Sequence, residues 1–237
     1  MDTEKKRLQE IMDGIAEAAG KAGRSASEIR LVGATKFKSP EQIRPVIEAG
    51  LSEVGENRAQ EFNEKYEFFM ECGVKTHFIG ALQTNKVKYL VGRAALIQSV
   101  DRLELAAEIN RLAMRRQLVQ PILIEVNIGG EEQKSGVAPK ELRELLKVVS
   151  EMPGVCVEGL MCVPPAVSEE EARGYFARMR ELFERIRDEK LPNILMKELS
   201  MGMSGDYKAA ILDGSTMVRI GSALFGARPA AGSPSAH

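Results

Sequence analysis

Two patterns of apolar residues alternate along this chain. Between the strands, apolar residues recur every three or four positions, which predicts a helix after each strand. Leu8, Ile11 and Ile15 add an amphipathic helix over residues 8–22, before the first strand. Short apolar runs without a helical period predict eight buried β-strands, over roughly residues 31–36, 52–55, 76–80, 95–100, 121–127, 155–161, 195–200 and 216–220.

Two helix starts carry clear capping signals. Ser39 and Gln42 form a capping box around Pro40, which suits a first helical position and predicts a helix over 40–49. Ser168 and Glu171 form a second capping box. The helix after the third strand is predicted over 84–91. The clearest apolar stripe follows the second capping box: Tyr175, Phe176, Met179, Leu182, Phe183 and Ile186.

Eight strand and helix units in succession predict the fold class, an α/β protein with one closed (β/α)₈ TIM-type barrel. The barrel would span residues 1–228 and include the extra N-terminal helix. Residues 229–237 are small residues and prolines, which predict a disordered tail. An open doubly wound sheet is the alternative, because elements predicted from a single sequence can be misplaced or absent.

Composition and charge exclude several classes of protein. Lysine and arginine number 33 against 34 acidic residues, so no basic surplus favours nucleic-acid binding. Cys72, Cys156 and Cys162 lack Cys-x-x-Cys spacing, and with His77 and His237 as the two histidines they predict no metal site. The chain has no signal-peptide pattern and no long apolar run, so we expect a cytoplasmic protein without membrane contact.

Lys36 is the first candidate for chemistry. It lies where the first predicted strand hands over to its helix, at the strand end where α/β proteins hold their sites. Taken alone, a lysine in this place more often extends into solvent than reacts.

Two turns rich in glycine and serine follow the last two strands, at residues 200–205 and 219–222. Each opens a helix and offers free backbone N–H groups to an anion. Loops after strands seven and eight commonly hold a phosphate in barrel enzymes, so the pair predicts a phosphate site. With Lys36 on the same face, the pattern predicts an imine-forming lysine and a phosphorylated carbonyl compound. That compound is either a sugar phosphate, as in aldolases, or pyridoxal 5′-phosphate (PLP).

Several short motifs stand out over roughly residues 31–226. They are Ala34-Thr35-Lys36, Gly55-Glu56-Asn57 with Gln60-Glu61, His77-Phe78-Ile79-Gly80 with Leu82-Gln83 and Asn85-Lys86, Lys134-Ser135-Gly136, Gly159-Leu160-Met161, Ser200-Met201-Gly202-Met203-Ser204 and Arg219-Ile220-Gly221. In these motifs the chain resembles the pyridoxal phosphate homeostasis family (YggS/PROSC type). This resemblance implies the PLP-binding barrel of alanine racemase without that enzyme's second domain.

The resemblance also implies where PLP binds. Lys36 would hold the cofactor as a Schiff base, and Asn57 would lie near the pyridine 3-hydroxyl. Arg219 would face the pyridine nitrogen, whose protonation a fixed guanidinium disfavours. The phosphate side would be formed by Ser200, Gly202 and Ser204, together with the backbone amides of Gly221 and Ser222. The full set is Lys36, Asn57, Ser200, Gly202, Ser204, Arg219, Gly221 and Ser222.

Two motif residues keep open roles. His77, on the third strand, is either a structural histidine of the barrel wall or a proton shuttle. Lys134 follows the fifth strand and either meets solvent or closes over the cofactor.

By this resemblance the chain would be a monomeric binding protein rather than an enzyme, buffering PLP or delivering it to apo forms of PLP-dependent enzymes. Alanine racemase takes its second acid/base group from a tyrosine of its second domain. All four tyrosines of this chain, Tyr66, Tyr89, Tyr175 and Tyr207, fall in predicted helices. The alternative is a racemase-like enzyme that uses Lys36 as its only base. A PLP-independent aldolase is a third hypothesis, which predicts no imine chromophore.

Overall fold

Eight parallel strands pair in chain order, and the ring closes where the last strand pairs with the first. The computed structural model describes residues 3–226. At the closure Arg30 pairs with Met217 and Gly33 with Ile220. The predicted closed barrel is therefore confirmed, and the open doubly wound alternative is wrong. The strands are β1 (Arg30–Ala34), β2 (Glu53–Glu56), β3 (Lys75–Phe78), β4 (Leu96–Val100), β5 (Gln120–Glu125), β6 (Val155–Met161), β7 (Ile194–Ser200) and β8 (Met217–Ile220).

Helices surround the strands. They are α1 (Thr3–Lys21), α2 (Pro40–Glu48), α3 (Ala59–Glu71), α4 (Leu103–Arg115), α5 (Leu142–Ser150), α6 (Glu169–Glu189), α7 (Tyr207–Leu212) and α8 (Ser222–Phe225). Short 3₁₀ helices lie at Ala26–Glu28 and Thr84–Tyr89. The N-terminal helix α1 packs against α2, α7 and α8.

Side-chain caps begin two of the helices as predicted. The Ser168 backbone N–H donates to Glu171 Oε2 at 3.0 Å, and the Glu171 N–H donates to Ser168 Oγ at 3.3 Å. At α2 the Ser39 N–H donates to Gln42 Oε1 at 3.0 Å. Each capping box satisfies backbone donors that a helix start leaves open, and so sets the residue at which the helix begins.

The connection after β3 differs from its predicted form. Residues 84–91 were expected to form an α-helix, but the segment is a 3₁₀ helix over Thr84–Tyr89. Its backbone bonds run from i to i+3: the Lys86 N–H donates to the Gln83 carbonyl oxygen at 2.9 Å, and the Leu90 N–H donates to the Val87 carbonyl oxygen at 2.9 Å.

One buried apolar cluster consists of residues from five strands: Val32, Leu96, Leu123, Met161 and Met217. Larger apolar clusters pack the helices onto the outside of the strands. Within residues 3–226, no helix is long and apolar enough to cross a membrane. The tail predicted over 229–237 lies outside the described residues.

Candidate cofactor site

A cleft of about 360 Å³ opens at the carboxyl end of the strands. Its lining comes mainly from the segments that follow β1, β2, β7 and β8. Six of the eight predicted site residues lie in it: Lys36, Asn57, Ser204, Arg219, Gly221 and Ser222.

Lys36 lies in a tight turn two residues beyond the end of β1, and it is half-buried. The next residue, Phe37, has φ +61°, in the left-handed region that a bulky side chain rarely adopts. Such a conformation persists only where the surroundings hold it. The backbone N–H of Phe37 donates to Glu61 Oε2 at 2.9 Å.

A buried ammonium group lies beside this turn. Lys65 Nζ donates to the Thr35 carbonyl oxygen at 3.0 Å and to Glu56 Oε1 at 2.8 Å. It also donates to Glu61 Oε2 at 3.1 Å. We call these contacts of Lys65 the Lys65 clamp. Through Thr35 and through Glu61, the clamp fixes the backbone on both sides of Lys36.

Glu56 is the buried carboxylate of the clamp. Burial raises the pKa of its carboxyl group, and the nearby charge of Lys65 opposes that rise. Thr35 Oγ1 donates to the same oxygen, Oε1, at 2.6 Å. Lys65 was not among the residues predicted from the sequence, although its spacing four residues after Glu61 is typical of a helical ion pair.

Arg219 reaches the cleft from β8 and is only 5% exposed. Its Nη1 donates to Ser200 Oγ at 2.5 Å, and its Nη2 donates to the Cys162 carbonyl oxygen at 2.8 Å. Burial lowers the pKa of this guanidinium. Two buried acceptors therefore fix a cation at the wall of the cleft.

Two of the predicted ligands, Ser200 and Gly202, are not brought to the cleft lining. Ser200 is fully buried, and its hydroxyl accepts from Arg219 and donates to Gln98 Oε1 at 2.7 Å. Gly202 has φ +96°, and a Cβ added there would lie 2.6 Å from Cβ of Ala210. Seen from the cleft, Ser200 thus lies behind Arg219. The absence of a side chain at Gly202 lets α7 pack closely against this segment.

Backbone amides converge on one oxygen at another part of the cleft. The N–H groups of Gly221 and Ala223 both donate to Ser204 Oγ at 3.3 Å. Ser222 lies between these two donors and lines the cleft. Amides that point at a single oxygen atom suit an anionic group such as a phosphate.

Asn57 contributes an unused acceptor. Its Oδ1 is buried and has no hydrogen-bond partner among the described residues, although the residue lines the cleft. Gly80 packs against this segment so closely that an added Cβ would lie 2.1 Å from the Asn57 carbonyl oxygen. A buried acceptor without a partner is costly, so this oxygen favours a ligand that donates to it.

The two residues with open roles lie outside the cleft lining. His77 is fully buried, and its Nδ1 lies 2.9 Å from Gln98 Nε2. Lys134 Nζ donates to the Pro164 carbonyl oxygen at 2.9 Å and pairs with Glu131 at 2.6 Å. Of residues 3–226, no tyrosine lines the cleft; the four lie on α3, α6, α7 and the second 3₁₀ helix.

Comparison with known proteins identifies the family. A family model for the alanine racemase N-terminal domain matches residues 26–229. The pyridoxal phosphate homeostasis protein of Aquifex aeolicus is 48% identical over 94% of this chain and 97% of its own length. A crystal structure of an unknown protein from Bifidobacterium adolescentis matches with TM-score 0.89 and 34% identity, covering 94% of this chain and 97% of that one.

A second solved structure, PipY of Synechococcus elongatus with PLP bound, matches with TM-score 0.79 and 30% identity. The match covers 90% of this chain and all of PipY. Sequence identity, coverage and the closed barrel agree on one assignment. The chain belongs to the pyridoxal phosphate homeostasis protein family, within the group of alanine racemase N-terminal barrels.

Proposed function

We propose that this protein binds PLP as a Schiff base on Lys36 and buffers it or delivers it to apo forms of PLP-dependent enzymes. The observation that carries the proposal is the convergence of Lys36, Arg219, Asn57 and the Ser204 amide cluster on one cleft. The PLP found in the related PipY structure supports the same ligand.

The covalent step needs only the amine of Lys36 and the aldehyde of PLP. The amine adds to the aldehyde carbon, a carbon–nitrogen double bond forms, and one water molecule leaves. The Lys65 clamp lies beside the turn that carries Lys36, with contacts to the residues before and after it. A fixed turn lowers the entropy cost of bringing the amine to the aldehyde.

The polar groups of the cleft suit the phosphate and the 3-hydroxyl group of PLP. The Ser204 hydroxyl accepts from two amides and still has a proton to donate to a phosphate oxygen. Asn57 Oδ1 offers an acceptor for the pyridine 3-hydroxyl. PLP supplies an electron sink to enzymes that use it, but the Arg219 guanidinium disfavours protonation of the pyridine nitrogen and weakens that sink.

As part of this proposal, the protein is a monomer that acts in the cytoplasm and hands PLP to apo-enzymes. To test delivery, PLP-loaded protein is mixed with a PLP-dependent apo-enzyme, and recovery of that enzyme's activity is followed. We expect recovery at the rate at which PLP leaves Lys36. No recovery, from protein that is fully loaded at the start, would contradict delivery.

The alternative, a racemase-like enzyme with Lys36 as its only base, predicts a different result in a second experiment. PLP-loaded protein is incubated in deuterated water with L- and D-alanine and serine, and α-proton exchange is followed by proton NMR. We expect little exchange. Fast exchange of both enantiomers that is lost in Lys36→Ala would overturn the carrier proposal and identify a racemase.

A further inference from the structure

A chain of buried polar side chains leads from the cleft into the barrel. It begins at Arg219, passes through Ser200, Gln98 and His77, and ends at Glu53. Ser200, Gln98 and His77 are fully buried, and Glu53 is 8% exposed. From the sequence, His77 is either a structural histidine or a proton shuttle, and Gln98 lies in none of the family motifs.

Every hydrogen bond in this chain is donated in the same direction. Arg219 Nη1 donates to Ser200 Oγ at 2.5 Å, and Ser200 Oγ donates to Gln98 Oε1 at 2.7 Å. Gln98 Nε2 then donates to His77 Nδ1 at 2.9 Å. An arginine can only donate, so Ser200 Oγ accepts from Arg219 and its own proton goes to Gln98 Oε1, which leaves the NH₂ group of Gln98 toward His77 Nδ1.

This direction fixes the tautomer of His77. Because Nδ1 accepts from Gln98, the proton of the neutral imidazole lies on Nε2. Nε2 lies 3.4 Å from Glu53 Oε2, which is long for a hydrogen bond, and it has no closer partner among residues 3–226. Glu53 is therefore the acceptor at the end of this series of side chains.

Glu53, at the far end of this series of hydrogen-bonded side chains, is held in place by charge. Glu53 pairs with Arg30 at 2.9 Å, and Arg30 pairs with Glu198 at 2.7 Å. Burial would raise the pKa of Glu53, but the neighbouring His77 and the hydrogen bonds and charge of Arg30 outweigh burial and hold the pKa below its usual value. Glu53 is thus an ionised acceptor at neutral pH.

The opposite arrangement of the Gln98 amide is unfavourable. With the amide reversed, Gln98 Nε2 would face Ser200 Oγ, which already accepts from Arg219, and the Ser200 proton would lose its acceptor. The hydrogen bonds from Arg219 to His77 therefore favour one arrangement, which resists rotation of the side chains that take part.

We propose that His77 and Gln98 are positioning residues, whose hydrogen bonds hold Ser200 and through it the Arg219 guanidinium at the cofactor cleft. This inference rests on the proposed function, because only bound PLP gives Arg219 a ligand to face. It assigns His77 neither to simple wall packing nor to proton transfer with a ligand, since His77 lies outside the cleft lining.

The first test needs no cofactor. Imidazole ¹⁵N NMR of the apo-protein at alkaline pH reports the tautomer of His77, and the spectrum of His77→Asn separates its signals from those of His237. We expect the proton on Nε2. A proton on Nδ1 would overturn the proposal, because Gln98 could then no longer donate to His77.

The second test uses matched variants and the dissociation constant of PLP. In His77→Asn the side-chain oxygen can take the place of Nδ1 and accept from Gln98, whereas His77→Leu offers no acceptor. We expect His77→Leu to weaken PLP binding by about tenfold, and His77→Asn to bind within about twofold of wild type. Gln98→Met, of similar size, is expected to match His77→Leu and replaces it if that variant does not fold.

The outcomes separate this proposal from the function on which it rests. Wild-type affinity in folded His77→Leu and Gln98→Met would overturn the positioning role alone. Equal loss in His77→Asn and His77→Leu would also overturn it, because it would indicate packing rather than hydrogen bonding. If wild-type protein forms no borohydride-reducible PLP adduct, the proposed function fails, and the positioning role fails with it.

Discussion

Lys65 Nζ lies 2.8 Å from Glu56 Oε1, and both side chains are almost completely buried. This pair joins the middle of α3 to the end of β2, directly beside the turn that carries Lys36. A buried ion pair contributes little stability when compared with apolar residues, but removal of one partner leaves an uncompensated buried charge. The pair therefore fixes geometry more than it adds stability.

Lys65→Met tests this role. It removes the ammonium and leaves Glu56 buried without its counter-ion, so we expect the free energy of unfolding to fall by about 3–5 kcal/mol. Adding Glu56→Gln should restore part of the loss. Urea unfolding measures both. Lys147→Met is the control, because Lys147 pairs with Glu144 at an exposed site and should change stability by less than about 0.5 kcal/mol. A Lys65→Met protein as stable as this control would contradict the account.

Glu125 predicts a pH dependence of stability. Burial first, and then the charge of Asp101, raise the pKa of its carboxyl group to about 7, against the opposing effect of Arg219. Between its unfolded pKa and pH 7 the folded protein binds more protons than the unfolded chain, so this group makes stability fall as pH rises. From pH 5 to pH 8 the loss should reach about 3 kcal/mol.

Glu125→Gln removes this titration. We expect the variant to have a flatter dependence of unfolding free energy on pH and to exceed wild type in stability at pH 8. Urea unfolding at several pH values between 5 and 8 provides the comparison. Parallel profiles for the two proteins would show that Glu125 does not titrate in this range.

The close approach of Gly80 to Asn57 predicts a position that tolerates no side chain. In Gly80→Ala the new Cβ would meet the Asn57 backbone, so we expect lower stability and weaker PLP binding. Gly174→Ala is the matched control, because Gly174 lies in α6 with open space around it and should gain about 0.5–1 kcal/mol. Thermal unfolding and PLP titration of both variants decide the matter. Normal affinity in Gly80→Ala would mean that the Asn57 segment can move without loss.

Ser204 predicts a selective effect on the phosphate end. Ser204→Ala removes the oxygen on which the Gly221 and Ala223 amides converge. We expect PLP to bind about fivefold more weakly, whereas pyridoxal, which lacks the phosphate, binds as before. Competition titrations with the two ligands measure the ratio. An equal loss for both ligands would place the phosphate elsewhere in the cleft.

Much of the fold was predictable, because strand burial and helix caps leave local signals. The capping boxes of Ser39 and Ser168 correctly indicated where α2 and α6 begin. Motif resemblance also indicated six of the residues that line the cleft.

Contacts between distant segments were not predictable. Ser200 and Gln98 are 102 positions apart in sequence, and no local pattern pairs them. A serine in a glycine-rich turn has the features of a phosphate ligand, but Ser200 is the last residue of β7 and is fully buried behind Arg219. The direction of a side chain at a strand end depends on register, which the sequence leaves open.

The central claim is that Lys36 carries PLP. The direct measurement is borohydride reduction of PLP-loaded protein, followed by peptide mass spectrometry of wild type, Lys36→Ala and Lys38→Met. Lys38 also lines the cleft, but its Nζ donates to the Phe225 carbonyl oxygen at 2.9 Å. The account predicts one adduct, on Lys36, in wild type and Lys38→Met, and none in Lys36→Ala. An adduct on Lys38, or equal labelling of Lys36→Ala, would contradict it.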